Sequence, residues 1–121
     1  MIGKVGLEGL KITCIVGTHP HERTNEQDLF VDISVESDFA PAAAAENVRY
    51  TVDYSAIAEE LTQLATERRY QLIETFAEEA AARVFTLYSG VEAVSLTIRK
   101  PAAVPAATCS FVQIERRRGE S

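Results

Sequence analysis

From Gly6 the chain alternates apolar and polar positions. In GLEGLKITCIVG, Leu10, Ile12, Cys14 and Val16 fall on one side, and a period of two predicts a strand. The next stretch, THPHERTNEQ, loses all periodicity and carries Pro20 and Asn25, so it reads as a loop. Alternation returns in LFVDISVESDF, with Leu29, Val31, Ile33 and Val35 inward and Asp32, Ser34 and Glu36 outward. Two alternating segments about a polar loop predict a long antiparallel hairpin.

An alanine-rich connection follows, APAAAAENVRYTV, whose Pro41 is unsuited to a helix interior. Its alanines suit a helical turn but supply no bulky apolar stripe. The period then changes. Tyr54, Ile57, Ala58, Leu61, Leu64 and Ala65 recur at steps of three and four, with Asp53 or Ser55 available as the N-cap. A second helical stripe runs through Ile73, Phe76, Ala77, Ala80, Val84 and Leu87, and Gly90 is expected to end it at positive φ. VEAVSLTIRK and TCSFVQIER then read as two more strands around PAAVPAA.

The order ββααββ predicts an α+β fold: one four-stranded antiparallel sheet with two helices on one face. Such a sheet leaves two unpaired edges, which invite pairing with other copies of the chain.

Composition narrows the function classes. A length of 121 residues fits a single domain spanning 1–121 around one core. The net charge of −6 opposes a phosphate backbone, and the basic cluster ERRRGES is interrupted by acids, so no nucleic-acid partner is expected. No apolar run is long enough for a bilayer, and the start lacks a signal-peptide layout. A cytoplasmic protein without membrane attachment is the expectation. Cys14 and Cys109 are far apart with no CxxC spacing and are expected as free, buried thiols. The two histidines, His19 and His21, flank a proline on a loop, so no metal site is expected. Phosphate-loop, GxSxG and HExxH patterns are absent from the sequence.

What remains is a dispersed polar set: Glu22 in the first loop, Tyr54 and Glu74 at the starts of the two helices, and Lys100 at a strand end. All four sit at element termini, where side chains from different elements can converge, and two acids, a phenol and an amine can anchor a polar ligand and relay protons. Each also has a plain structural reading. Glu22 can be a solvated loop charge and Tyr54 a core residue with its hydroxyl at the rim. Glu74 suits a helix N-terminus, and Lys100 suits a strand end as a guard against edge pairing.

GTHPHERTNEQ, TVDYSAIAEEL, YQLIETFAEEAAARV and IRKPAAV, in this order, closely resemble the dihydroneopterin aldolases of folate biosynthesis from about Gly6 to Arg116. The resemblance implies the tunnelling fold, in which four subunits join their sheets into a barrel and two rings stack as an octamer. It also implies active sites between neighbouring subunits and a small-molecule pterin substrate, with no cofactor. By the matching motifs, Glu74 would anchor the pterin ring and Lys100 would be catalytic. Glu22 and Tyr54 match the loop glutamate and the helix-start tyrosine of the site. Val52, Asp53 and Ile73 match pocket positions, and Leu72 would add dry surface beside Glu74. A pterin's adjacent N–H donors suit a carboxylate fork, and the implied reaction is retro-aldol loss of glycolaldehyde. Two other readings use the same residues: epimerisation at C2′ of the same substrate or its triphosphate, and a non-catalytic pterin- or purine-binding ring. The sequence departs from the family at Val16, where many members carry histidine, and at Tyr50, where many carry an acid. Its PAAVPAATC connection also lacks the common Pro-Gly ending.

Overall fold

The computed structural model describes residues 2–119. β1 (Ile2–Cys14) pairs with β2 (Gln27–Asp38), β2 with β3 (Ala93–Lys100) and β3 with β4 (Ser110–Arg117), all antiparallel, in the spatial order β1-β2-β3-β4. Between β2 and β3 lie a short helix α1 (Ala40–Ala45) and the two long helices α2 (Tyr54–Arg68) and α3 (Ile73–Leu87). The four-stranded sheet and the two long helices are those the periodicity predicts.

β1 begins four residues before the predicted start, and a bulge explains why. Leu7 pairs with Ile33 but Leu10 pairs with Val31, so one extra residue is inserted on β1. The insertion flips the phase: Val5 and Leu7 before it, and Ile12 and Cys14 after it, all pack against the core. A single-phase reading therefore loses the first half of the strand. Gly9 adopts φ 65° at the bulge, a left-handed conformation that glycine tolerates, and its N–H donates to Asp32 Oδ1 at 2.7 Å.

The core lies between one sheet face and the long helices. Leu29, Val31, Ile33 and Val35 of β2 and Val94, Leu96 and Ile98 of β3 meet Ile57, Leu61 and Leu64 of α2 and Phe76, Ala80 and Val84 of α3. The small side chains of α3 let its backbone approach the sheet. The opposite face carries Lys4, Asp32, Ser34, Ser95, Thr97 and Gln113 and is uncovered in the single chain. No helix among the described residues is long and apolar enough to cross a membrane.

Several local expectations are corrected. Pro41 stands in the first turn of α1, where no intrahelical N–H is required, so it starts the helix rather than preventing it. Gly90 does not end α3 in a left-handed conformation. Tyr88 is the C-cap, with φ −130°, and the guanidinium of Arg118 donates to the carbonyls of Phe85 (3.2 Å), Tyr88 (2.7 Å) and Val91 (2.7 Å). Leu87 and Tyr54 are exposed rather than core, and Cys109 is half-buried, whereas Cys14 is buried; both thiols are free.

The topology sorts the connections into two ends. The β1–β2 loop, the α2–α3 connection and the β3–β4 connection meet at one end, where Gly17 N–H donates to the Tyr70 carbonyl at 3.0 Å. The residues leading into α2 and those following α3 meet at the other.

Candidate active site

The β1–β2 loop contains a single turn of 3-10 helix, Pro20–Arg23, that turns Glu22 inward. Its side chain is 7% exposed and pairs with Lys100 Nζ at 2.7 Å, itself 12% exposed, from the end of β3. Gln27 Nε2 donates to Glu22 Oε2 at 3.0 Å and to the Val16 carbonyl at 2.8 Å, and the His19 N–H donates to Glu22 Oε1 at 3.1 Å. Burial alone would raise this carboxyl; the Lys100 ammonium, the Gln27 amide and the His19 N–H outweigh it and hold Glu22 down at about 2. Glu22 is therefore an anion at neutral pH, fixed on Lys100.

Gly17 makes that placement possible. With φ at 122°, it presents bare backbone to the Glu22 carboxylate, and a Cβ there would overlap it. The plain reading of Glu22 as a solvated loop charge is thus corrected.

The ion pair opens onto a cleft of about 380 Å³ that also takes in Leu72, Ile73, Glu74, Val104 and Phe111. Ile73 and Glu74 are the first two residues of α3, whose N-cap Leu72 offers no side-chain acceptor. The opening N–H groups of the helix are thus left without a side-chain cap beside the cleft. Glu74 and Leu72 are exposed, as are Val104 and Phe111 at the rim, while Ile73 is buried. The cleft therefore combines a buried ion pair, an exposed carboxylate at a helix start and an apolar rim.

Five of the eight predicted site residues divide cleanly from the other three. Glu22, Lys100, Glu74, Ile73 and Leu72 share this cleft; Val52, Asp53 and Tyr54 do not. Val52 and Asp53 lead into α2 and Tyr54 is its first residue; the helix's 15 residues rise roughly 22 Å along its axis. There Asp53 caps the helix, accepting from Ser55 N–H at 3.0 Å and Ala56 N–H at 3.3 Å. Tyr88 Oη accepts from the Asp53 N–H at 3.3 Å and lies 3.4 Å from its carbonyl. Val52 is buried, and Tyr54 extends into solvent at 52% exposure.

Gly17, Gln27, Arg23 and Tyr88 were not singled out from the sequence. Their roles depend on contacts over long sequence separation, and a residue type alone does not signal them. Among the described residues, no group of three His, Cys, Asp or Glu side chains is placed to hold a metal ion. The His19 and His21 rings instead stack with centroids 5.7 Å apart.

The fold that builds the cleft is shared with known proteins. A dihydroneopterin aldolase from Streptomyces coelicolor is 38% identical over 100 residues, covering 83% of this chain and 83% of its own. One from Methylorubrum extorquens is 31% identical over 121 residues, covering 100% of this chain and 93% of its own. The crystal structure of Escherichia coli dihydroneopterin aldolase in complex with neopterin superposes with a TM-score of 0.86 at 31% identity, covering 96% of this chain and 98% of that one. The family model for dihydroneopterin aldolase (FolB) matches residues 5–117, from the first half of β1 to the last residue of β4, and this chain belongs to that family.

Proposed function

We propose that this protein is a 7,8-dihydroneopterin aldolase that releases glycolaldehyde and 6-hydroxymethyl-7,8-dihydropterin. The observation that carries the reading is the buried Glu22–Lys100 pair facing the start of α3, in a chain of this family whose Escherichia coli relative was crystallised with neopterin.

The Glu74 carboxylate would accept the pterin's 2-amino and N3 hydrogens as a fork, with Leu72 and Ile73 drying its surroundings once ligand is bound. Cleavage breaks the C1′–C2′ bond. The C2′ hydroxyl gives up its proton and becomes the aldehyde of glycolaldehyde, while the bond's electron pair forms C1′=C6 as N5 takes a proton. Protonation at C1′ and loss of the N5 proton then restore the C6=N5 bond. The substrate's own C=N is the electron sink, so the proposed reaction needs neither metal nor cofactor. Lys100 would supply and remove protons through an ordered water, and Glu22 and Tyr54 would orient the side-chain hydroxyls and share in proton transfer.

Tyr54 can take part only if it comes from another copy. The free edges of β1 and β4 and the uncovered polar sheet face suit pairing into a barrel, and an octamer of two stacked rings is the proposed assembly. A single domain over 1–121, acting in the cytoplasm, completes the reading.

The test is incubation with 7,8-dihydroneopterin and separation of the pterins by chromatography. Hydroxymethyl-dihydropterin is expected; its absence defeats the proposal, and a C2′ epimer alone would make the protein an epimerase. The cleft contains no arginine and no lysine besides Lys100, so unphosphorylated substrate fits better than a triphosphate. Lys100→Ala should abolish cleavage and spare neopterin binding, whereas Glu74→Gln should weaken binding severely with little change in stability. Turnover that survives Lys100→Ala would remove Lys100 from the chemistry.

A further inference from the structure

We infer that Arg23 is a positioning residue, which sets the separation between the Glu22–Lys100 pair and the Leu72–Glu74 segment. This rests on the proposed aldolase reading. Arg23 does not border the cleft. Its guanidinium spans two separate pieces of chain that do. Nη1 donates to the Gly17 carbonyl at 3.1 Å and to the Tyr70 carbonyl at 3.2 Å, and Nη2 donates to the Arg69 carbonyl at 2.8 Å.

Each contact lies close to a residue of the site. Arg23 directly follows Glu22, and Gly17 is the residue against which the Glu22 carboxylate is packed. Arg69 and Tyr70 lie just before Leu72, Ile73 and Glu74. Arg69 is also the C-cap of α2, held at φ 45°, so its carbonyl is at a helix end where a cation is favoured. One planar fork thereby fastens the loop carrying the ion pair to the connection carrying the proposed ring anchor. A lysine cannot reproduce this, because a single ammonium does not present the guanidinium's rigid, divergent donors.

The consequence is specific to the chemical step. If Glu74 holds the ring, the position of C1′ relative to Lys100 depends on how the two pieces of chain are spaced. A displacement of about 1 Å in such an arrangement costs on the order of 100-fold in rate. Glu74, the proposed ring anchor, lies on the α3 side with Leu72 and Ile73, and Val52 and Asp53 lead into α2. None of the groups proposed to grip the ring is bonded to Arg23. Turnover should therefore suffer much more than affinity.

The experiment compares full-length wild type, Arg23→Gln and Arg23→Lys for kcat and KM with 7,8-dihydroneopterin, for neopterin affinity, and for thermal unfolding. For Arg23→Gln the expected result is a fall in kcat of about 10- to 100-fold, with KM and neopterin affinity within roughly threefold of wild type. Arg23→Lys should fall between. A folded Arg23→Gln protein with wild-type kcat overturns the inference, as does an equal loss in kcat and neopterin affinity. If Arg23→Gln fails to fold, Arg23→Lys decides: wild-type kcat or failure to fold in that variant also overturns it. Wild type without cleavage would instead defeat the aldolase reading itself, so the two failures are distinguishable.

Discussion

At the residue scale, the site is governed by how a buried carboxylate is kept charged. Glu22 has three partners, the Lys100 ammonium, the Gln27 amide and the His19 N–H, and its carboxyl is held at about 2 rather than the ordinary 4.5. A depressed folded-state value stabilises the protein fully above the ordinary carboxyl range. That contribution is lost as pH falls through the folded value. Glu22→Gln removes the charge and leaves the Lys100 ammonium buried without its counter-ion, a change that costs about 3–5 kcal/mol in comparable pairs. Denaturant unfolding of both proteins as a function of pH should show the wild-type advantage intact at neutrality. It should shrink as pH falls from about 4.5 to about 2, and a gap constant over that range would mean that Glu22 is not so held. The sequence made Glu22 and Lys100 visible as chemically able residues. It did not show that they touch, because 78 positions separate them in the chain (100 − 22), nor that Gly17 is bare for the sake of the carboxylate.

At the scale of elements, periodicity was informative wherever one face is buried and one is wet. β2 alternates without interruption, and α2 and α3 keep their stripes except at Tyr54 and Leu87, so all three were legible. β1 was legible only after its bulge, since a phase change erases the very pattern that marks a strand. The end of α3 misled for another reason. Glycine near a helix end commonly signals a left-handed cap, but here Arg118, 30 residues beyond Tyr88, satisfies the terminal carbonyls. Two substitutions separate these accounts. Gly90 has open space where a Cβ would go and no left-handed φ, so Gly90→Ala should leave stability unchanged or raise it by up to about 1 kcal/mol. Arg118→Ala removes three donors to backbone carbonyls and should cost about 1–3 kcal/mol. Chemical denaturation of the two variants decides the matter; a large loss at Gly90 with none at Arg118 would restore the glycine stop.

At the scale of the whole molecule, the likeness between this chain and its relatives extends over the four-stranded sheet and both long helices, yet one copy holds the proposed site in two parts. Glu22, Glu74 and Lys100 converge at one end, while Val52, Asp53 and Tyr54 stand at the other. Spacing along the sequence placed all of them at element ends and could not tell which end, because that depends on how the helices run back across the sheet. Tyr54, Leu72 and Phe111 are exposed, and in the proposed assembly this apolar surface at both ends would be covered by a neighbour. If Lys100 of one subunit works with Tyr54 of the next, two inactive variants should repair each other. Lys100→Ala and Tyr54→Phe, each weak alone, would be unfolded together, mixed in equal amounts and refolded. In a randomly mixed ring, roughly a quarter of the interfaces join two native residues, so activity should recover to about that fraction of wild type. Mixing the folded proteins without refolding should give nothing beyond the sum of the two, provided subunits do not exchange. Activity that stays at that sum after co-refolding, with mixed oligomers verified by mass spectrometry, would place both residues in a site built by a single chain or remove Tyr54 from the chemistry.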